Sequence, residues 1–419
     1  MSEYTDLEAT ALGYVSRTQI VVDTCQLIIA RGENPGETEA QTVRWLREMC
    51  RRIGAEVTTW EFEPGRENLH AWLGPEEGPA ILFLGHSDVV PAGEGWDGDP
   101  FRPRFGHDAI IGRGAADMKG GLAAVVAAMD AIHRINPDIR LELLCTGDEE
   151  DRSLGIRAAL ERFAGKEYLA CIVAEPTNLD VVVGCRGASN FWVQVTGSSA
   201  HAGRPEDGAN SIEAASLLID LVRAHHRQAS DYEADPLLGA VTWNVGTISG
   251  GTGTSMVPRE TLVTIDRRTM PGEDPEEILE CLLTQLRLDI GELSNADWFE
   301  VNGGVDMEMP GFRSSPDSSL VRTAREALLA LGQPALVTGW TAACEGGFFA
   351  RMGVPTIVLG PGDVNAQAHQ PNEEVSISDL VHAAHAYVLM GLRLAGPGER
   401  ADWGESELED DSDKERMAL

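Results

Sequence analysis

Short apolar runs, each followed by a helical stretch, set the strongest limit on how this chain can fold. Ile81-Leu82-Phe83-Leu84 is too short for a helix and has no polar face, so it reads as a buried strand. Similar runs lie at 140–146, 171–174 and 356–359, and a strand is expected at 55–62. Helices are expected at 39–53, at 120–135 where Asn136-Pro137 stops the pattern, and at 154–163. An amphipathic N-terminal helix would place Leu12, Val15, Ile20, Val21, Cys25 and Ile28 near one face. Strands that alternate with helices predict an α/β fold with a mainly parallel sheet flanked by helices.

The rhythm changes near residue 187. Segments 191–196, 240–248 and 262–268 read as strands, with helices at 210–227 and 275–288 between them. Asp274 before Pro275 is a suitable N-cap with proline in the first turn. Two helices on a small antiparallel sheet predict an inserted α+β domain. The α/β pattern then resumes with a helix at 319–331, strands at 335–337 and 356–359, and a last helix at 377–392. A chain of 419 residues exceeds one ordinary core. The predicted division is therefore a catalytic domain of residues 1–186 and 301–395 and an inserted domain of 187–300. The tail, 396–419, contains ESELEDDSDKER and is expected to be acidic and disordered.

Composition removes several function classes. The formal net charge of −34 repels nucleic acid. No apolar run is long enough to span a bilayer, and the N-terminus has no charged-then-apolar signal pattern. Seven scattered cysteines include no C-x-x-C pair, which points to a reducing cytoplasm and away from a thiolate zinc site. Lys119, Lys166 and Lys414 are the only lysines. An acid-rich, lysine-poor chain suits a high-salt cytoplasm, although a GC-rich genome also favours arginine.

Chemistry gathers where the strands end. The run at 81–84 delivers His86 and Asp88, and an isolated Asp117 precedes the helix at 120. The strand at 140–146 runs into Asp148, Glu149 and Glu150, that at 171–174 into Glu175, and that at 356–359 leads on to His369. Carboxyl ends of parallel strands are where such sheets place their ligands. Each residue has an ordinary explanation by itself: a polar strand end, an N-cap, acids at a helix start. Five together predict a converging cluster of imidazoles and carboxylates, suited to zinc, cobalt or manganese. Two histidines and three carboxylates exceed one tetrahedral ion and fit two ions that share a carboxylate. Asp88 is placed to accept from the second ring nitrogen of His86.

The motifs GHSDVVP, GRGAADMKGG, TGDEE, AEPT and GPGDVNAQAHQP resemble those of the zinc metallopeptidase and amidohydrolase family. That family includes acetylornithine deacetylase, succinyl-diaminopimelate desuccinylase, aminoacylase and glutamate carboxypeptidases. The resemblance covers about residues 10–395 and implies a catalytic domain split by a lid that dimerises. It implies two divalent ions per chain, zinc first, with His86 and Glu175 on one, Glu150 and His369 on the other, and Asp117 bridging. It implies Glu149 as general base and a cis peptide between Asp117 and Met118. His201, in GSSAHAGRPEDG, resembles a lid histidine that reaches the partner's active site and donates to the developing oxyanion.

Substrate contacts are less legible. Arg268 resembles an arginine that clamps the substrate carboxylate, with Arg267 sent to the opposite face by strand alternation. Ser255 stands where many relatives carry asparagine. Glu345 in CEGGFF, with the AHQPNE run, is more similar to acetylornithine deacetylase than to desuccinylases. The expected activity is hydrolysis of the amide bond of N-acyl amino acids, by metal-activated water and acetylornithine deacetylase-like. A desuccinylase, dipeptidase or carboxypeptidase is the alternative. Two non-catalytic readings come from another class: a metal-free binding protein, which predicts ligand losses that the sequence lacks, and a scaffolding or regulatory subunit that uses the acidic tail as its contact, which deletion of the residues after Gly396 would test.

Overall fold

The computed structural model describes residues 4–396, apart from residue 232. The acidic tail therefore lies outside the described residues from 397 onward. Nine strands form the main sheet. Across it run Glu56–Glu63, Arg66–Leu73, Arg140–Thr146, Ala80–His86, Tyr168–Val173, Thr356–Val358, Val181–Cys185 and Phe312–Arg313, with Val337–Trp340 also beside Val181–Cys185. The centre is parallel: Ala80–His86 pairs in parallel with Arg140–Thr146 and Tyr168–Val173, and Thr356–Val358 continues that direction. Antiparallel strands close the edges.

Both faces are covered, which explains why the central runs are apolar throughout instead of alternating. Ile81, Phe83, Leu141, Leu143, Ile172 and Val183 face a core supplied by helices Arg17–Ile29, Ala40–Arg52, Gly120–Ile135, Ser319–Ala330 and Ile377–Leu394. Leu82, Leu84, Leu144, Cys171 and Val173 face the other way, onto Ile156, Phe163, Phe348 and Phe349. Helix Gly120–Ile135 starts against the strand ends. A side chain at Gly121 would meet the Ala174 carbonyl oxygen at 2.1 Å, so only glycine allows that approach.

A second, four-stranded sheet is wholly antiparallel, in the order Thr242–Gly250, Glu260–Thr269, Gly187–Thr196, Glu300–Met309. Helices Ser211–Asp231 and Pro275–Ile290 pack on it around Phe191, Val193, Leu218, Ile265, Leu282 and Leu286. Asp274 caps the second helix by accepting from Glu276 N–H. Two of its strands run on into the main sheet side by side, because Gly187–Thr196 follows Val181–Cys185 and Glu300–Met309 leads into Phe312–Arg313, which pairs with Val181–Cys185. The fourth strand carries this antiparallel sheet past residue 300.

Several elements depart from the expected pattern. The N-terminal helix is two helices, Asp6–Leu12 and Arg17–Ile29, because Gly13 ends the first and the Ser16 side chain caps the second by accepting from Gln19 N–H. Arg66–Leu73 and Val181–Cys185 are strands that the pattern did not single out. The strand expected at 335–337 is Val337–Trp340. Among the described residues, no helix is long and apolar enough to cross a membrane.

Candidate metal centre

Strand Ala80–His86 brings His86 to the carboxyl end of the sheet, fully buried. Its Nδ1–H donates to the backbone carbonyl of Asp88 at 3.0 Å. That bond fixes the tautomer and leaves the Nε2 lone pair as the ligating position. Nε2 faces Asp117 Oδ1 at 3.1 Å and Glu175 Oε1 at 3.4 Å. Asp117 turns its other oxygen, Oδ2, toward His369 Nε2 at 3.5 Å, and His369 Nε2 also lies 3.1 Å from Glu150 Oε2. One carboxylate thus shows an oxygen to each imidazole.

The donor set fits divalent cations. Ligand atoms of His86, Asp117 and Glu175 lie within 4.8 Å of one another, as do those of Asp117, Glu150 and His369. A third group joins His86 to Glu149 and Glu150. Such crowding is costly without positive charge. Burial, with neighbouring carboxylates, pushes Glu149 well above the ordinary range and Glu175 up to about 7. The Asp117 and Glu150 carboxylates, which accept from its ring N–H, hold His369 protonated up to about 10. His86 is raised too: burial favours its neutral form, but Glu175 and Asp117 outweigh burial. Protons and cations compete for the same negative cluster.

Asp88 sits differently from the expectation. Its carboxylate Oδ1 is 3.6 Å from His86 Nδ1, beyond a hydrogen bond, because the nearer backbone carbonyl takes that proton. The carboxylate accepts instead from Glu149 N–H (3.3 Å), Glu150 N–H (3.1 Å) and Asn34 Nδ2 (2.8 Å). Asn34 also donates to Asp148 Oδ1 at 3.1 Å. Asp148 accepts from Arg66 at 2.9 Å, and Arg66 pairs with buried Glu39. The turn that carries Glu149 and Glu150 is therefore braced from beneath by Asn34, Glu39, Arg66 and Asp88. Apart from Asp88, sequence reasoning missed these residues, because they sit in loops and a strand edge with no motif spacing.

The remaining candidates divide. The Asp117–Met118 peptide is cis. Glu345 is 2% exposed; Thr146 Oγ1 donates to its Oε2 at 2.5 Å, and its buried Oε1 has no partner among the described residues. Burial pushes its carboxyl up to about 8. Arg267 is buried against Trp243 and paired with Glu273, whereas Arg268 is half-exposed on the opposite face and reaches Asp266 at 3.3 Å. Burial, with the like charge of Arg268, lowers the guanidinium pKa of Arg186, which the motifs did not flag. Arg186 donates to the Thr341 and Ala240 carbonyls. His201 and Ser255 lie on adjoining loops of the antiparallel unit, linked by Ala202 N–H to the Ser255 carbonyl at 3.1 Å. Both are exposed, and the His201 ring accepts from Gly203 N–H at 3.0 Å. Among the described residues neither hydrogen-bonds to the metal-ligand set.

Residues 82–392 match the profile of Peptidase family M20/M25/M40. An acetylornithine deacetylase of Aliivibrio fischeri (strain ATCC 700601 / ES114) is 31% identical over 353 residues, which cover 82% of this chain and 88% of the relative. A succinyl-diaminopimelate desuccinylase of Pseudomonas syringae pv. syringae (strain B728a) is 32% identical over 377 residues, covering 85% and 92%. The di-peptidase Dug1p of Saccharomyces cerevisiae has a TM-score of 0.71 at 16% identity, covering 93% of this chain and 99% of that one. The M20 family metallo-carboxypeptidase Sso-CP2 of Sulfolobus solfataricus has a TM-score of 0.71 at 18% identity, covering 89% and 98%. Both structures share the fold.

Proposed function

The chain belongs to peptidase family M20/M25/M40, and on that premise we propose that it is a dinuclear metal-dependent hydrolase of the amide bond of N-acyl amino acids, with acetylornithine as the first substrate to try. The observation that carries this reading is Asp117, whose two oxygens face His86 and His369 while Glu175 and Glu150 complete the two groups. His86 and Glu175 would hold one ion, Glu150 and His369 the other, with Asp117 shared. Zinc suits these donors best, with cobalt and manganese as alternatives. When bound, the pair of ions would polarise the scissile carbonyl and acidify water.

The chain's own groups supply the rest. Glu149 takes a proton from the attacking water and returns it to the leaving nitrogen as the C–N bond breaks, and the remaining water proton passes from the new carboxylic acid to the amine, so that the products are a carboxylate and an ammonium. Asp88 holds the Glu149 and Glu150 amides, which fixes where both carboxylates point. Arg268, half-exposed near the end of strand Glu260–Thr269, is suited to the substrate carboxylate. The antiparallel unit acts as a lid and dimerisation domain, and His201 of a second copy donates to the oxyanion. Glu345 and Ser255 border the substrate. The protein works in the cytoplasm in this reading.

A desuccinylase is the second reading, favoured by the Pseudomonas syringae relative at 32% identity. The deciding experiment loads the protein with zinc and screens N-acetyl and N-succinyl amino acids and dipeptides for free amine. Two ions per chain, turnover abolished by chelation, and preference for N-acetylornithine are the expected results. Protein that binds no ion, or hydrolyses none of these amides, would sink the proposal. Glu149→Gln should keep its metal and lose about a hundredfold or more in turnover.

A further inference from the structure

Asp117 stands on irregular backbone, between a turn and helix Gly120–Ile135, where no strand ladder fixes it. Three amides of this loop share one acceptor. Glu373, four residues beyond His369 and 1% exposed, accepts through Oε1 from Ala116 N–H at 2.8 Å and Asp117 N–H at 3.0 Å. Its Oε2 accepts from Gly114 N–H at 2.9 Å and Arg113 Nη1 at 2.7 Å. Its backbone carbonyl accepts from Gly112 N–H at 2.9 Å. Arg113, also 1% exposed, donates onward to the Gln370 carbonyl at 3.4 Å and the Ala92 carbonyl at 3.2 Å.

This buried pair joins three stretches of chain: the one that begins at His86, the one that holds Asp117 and the one that holds His369. The carboxylate is saturated, with two donors on each oxygen. An apolar side chain of the same volume would fill the space but leave three backbone N–H groups and a guanidinium without partners. What the carboxylate supplies is therefore a fixed position for the Asp117 backbone relative to His369. The adjoining three-stranded sheet supports it, since Glu374–Ser376 pairs with Ala109–Ile111 on the same two stretches.

We propose that Glu373 is a positioning residue that sets the Asp117 carboxylate against His369, so that the ion held by Asp117, Glu150 and His369 depends on it. The inference rests on the two-metal reading above. Glu373→Gln keeps the length but turns an NH2 group toward N–H donors. Glu373→Asp keeps the charge but retracts it by one methylene. Zinc binding to each variant, measured in competition with a chromophoric chelator, should show the second ion weakened by about 10–100-fold and the first, which keeps His86 and Glu175 as well as its share of Asp117, weakened less. Hydrogen exchange of metal-free protein should accelerate in 112–120 and not in strands Ala80–His86 and Arg140–Thr146. A merely structural role predicts otherwise: two ions bound as in the wild type, or exchange accelerated uniformly with a lowered urea midpoint, and either result overturns the proposal. If the wild type itself holds fewer than two ions, the two-metal reading fails, and the exchange pattern alone decides, local acceleration supporting the clamp and uniform acceleration refuting it. Should Glu373→Gln not fold, Glu373→Asp carries both measurements.

Discussion

Asp88 shows how far a motif can be read residue by residue. Its position two residues beyond His86 suggested a carboxylate aimed at the imidazole, yet the carboxylate holds the Glu149 and Glu150 amides and the Asn34 side chain. The convergence of the candidate ligands was legible because each follows an apolar strand or opens a helix. Asn34, Arg66 and Glu373 were not, because their partners lie far along the chain and only folding brings them together. Asn34 is 3% exposed and bridges Asp88 and Asp148, so Asn34→Ala removes a shared donor from two buried carboxylates. We expect turnover to fall by about tenfold or more with the wild-type metal content and little change in KM, and Asn34→Ser, which keeps a donor, to recover part of it. A loss confined to KM, or loss of both ions, would contradict this. Glu345 gives a pH prediction. Burial lifts its carboxyl from 4.5 to about 8, so between these values the folded protein keeps a proton that the unfolded chain has released. Stability should fall as pH rises through that window. In chelator-treated protein, Glu345→Gln should flatten the decline in urea midpoint between about pH 5 and 8; a decline as steep as the wild type's would mean that Glu345 is not its source.

At the scale of elements, the central strands were legible because burial on both faces writes them as unbroken apolar runs. Arg66–Leu73 was not, since Arg66, Asn68 and His70 spend their polarity inside the protein. Asn68 reaches the Gly155 carbonyl and Gly147 N–H, and His70 reaches Glu142 at 2.9 Å. Nothing local distinguishes such residues from a solvated loop. The antiparallel unit followed period-2 alternation and was read from it, but Glu300–Met309 carries Gly303 and Gly304 and little apolar pattern, so its pairing with Gly187–Thr196 had no sequence signal. The unit leaves Ile212, Ile248, Met256 and Leu262 exposed on its own surface and holds His201 and Ser255 on neighbouring loops. A second copy that covered this unit would place His201 for action in trans. On that proposal, His201→Ala should lower kcat by about two orders of magnitude, the scale of one lost oxyanion donor, and leave metal content unchanged. Mixing His201→Ala with Glu149→Gln chains under subunit exchange should restore partial activity, since one site of each heterodimer has both groups. No recovery, or a monomer at assay concentration, would remove His201 from the mechanism.

For the molecule as a whole, charge is the outstanding property. Acidic residues number 67 against 33 lysines and arginines, so even complete ion pairing leaves a large negative excess. Two opposite salt effects follow. Screening weakens the surface pairs, such as Arg17–Asp108 and Arg134–Asp130, which are exposed and contribute little. Screening also weakens repulsion among the unpaired acids, which opposes the compact state. With half of the acids unmatched, repulsion outweighs the attraction within the surface pairs. The candidate metal centre adds to it locally, because its carboxylates lie close together and are screened less than surface charges, so cations bound there would relieve that repulsion more than ionic strength does. The urea midpoint of metal-loaded protein should therefore rise as KCl is taken from low millimolar to about 1 M, where the Debye length shrinks to about 3 Å, and then level off. Activity should follow the same course. Levelling separates screening from general salting-out, which would continue to climb with concentration and would be stronger in sulfate than in chloride. A midpoint that is flat or falls from the lowest salt would show that the paired charges dominate and that the acidic excess costs this fold nothing.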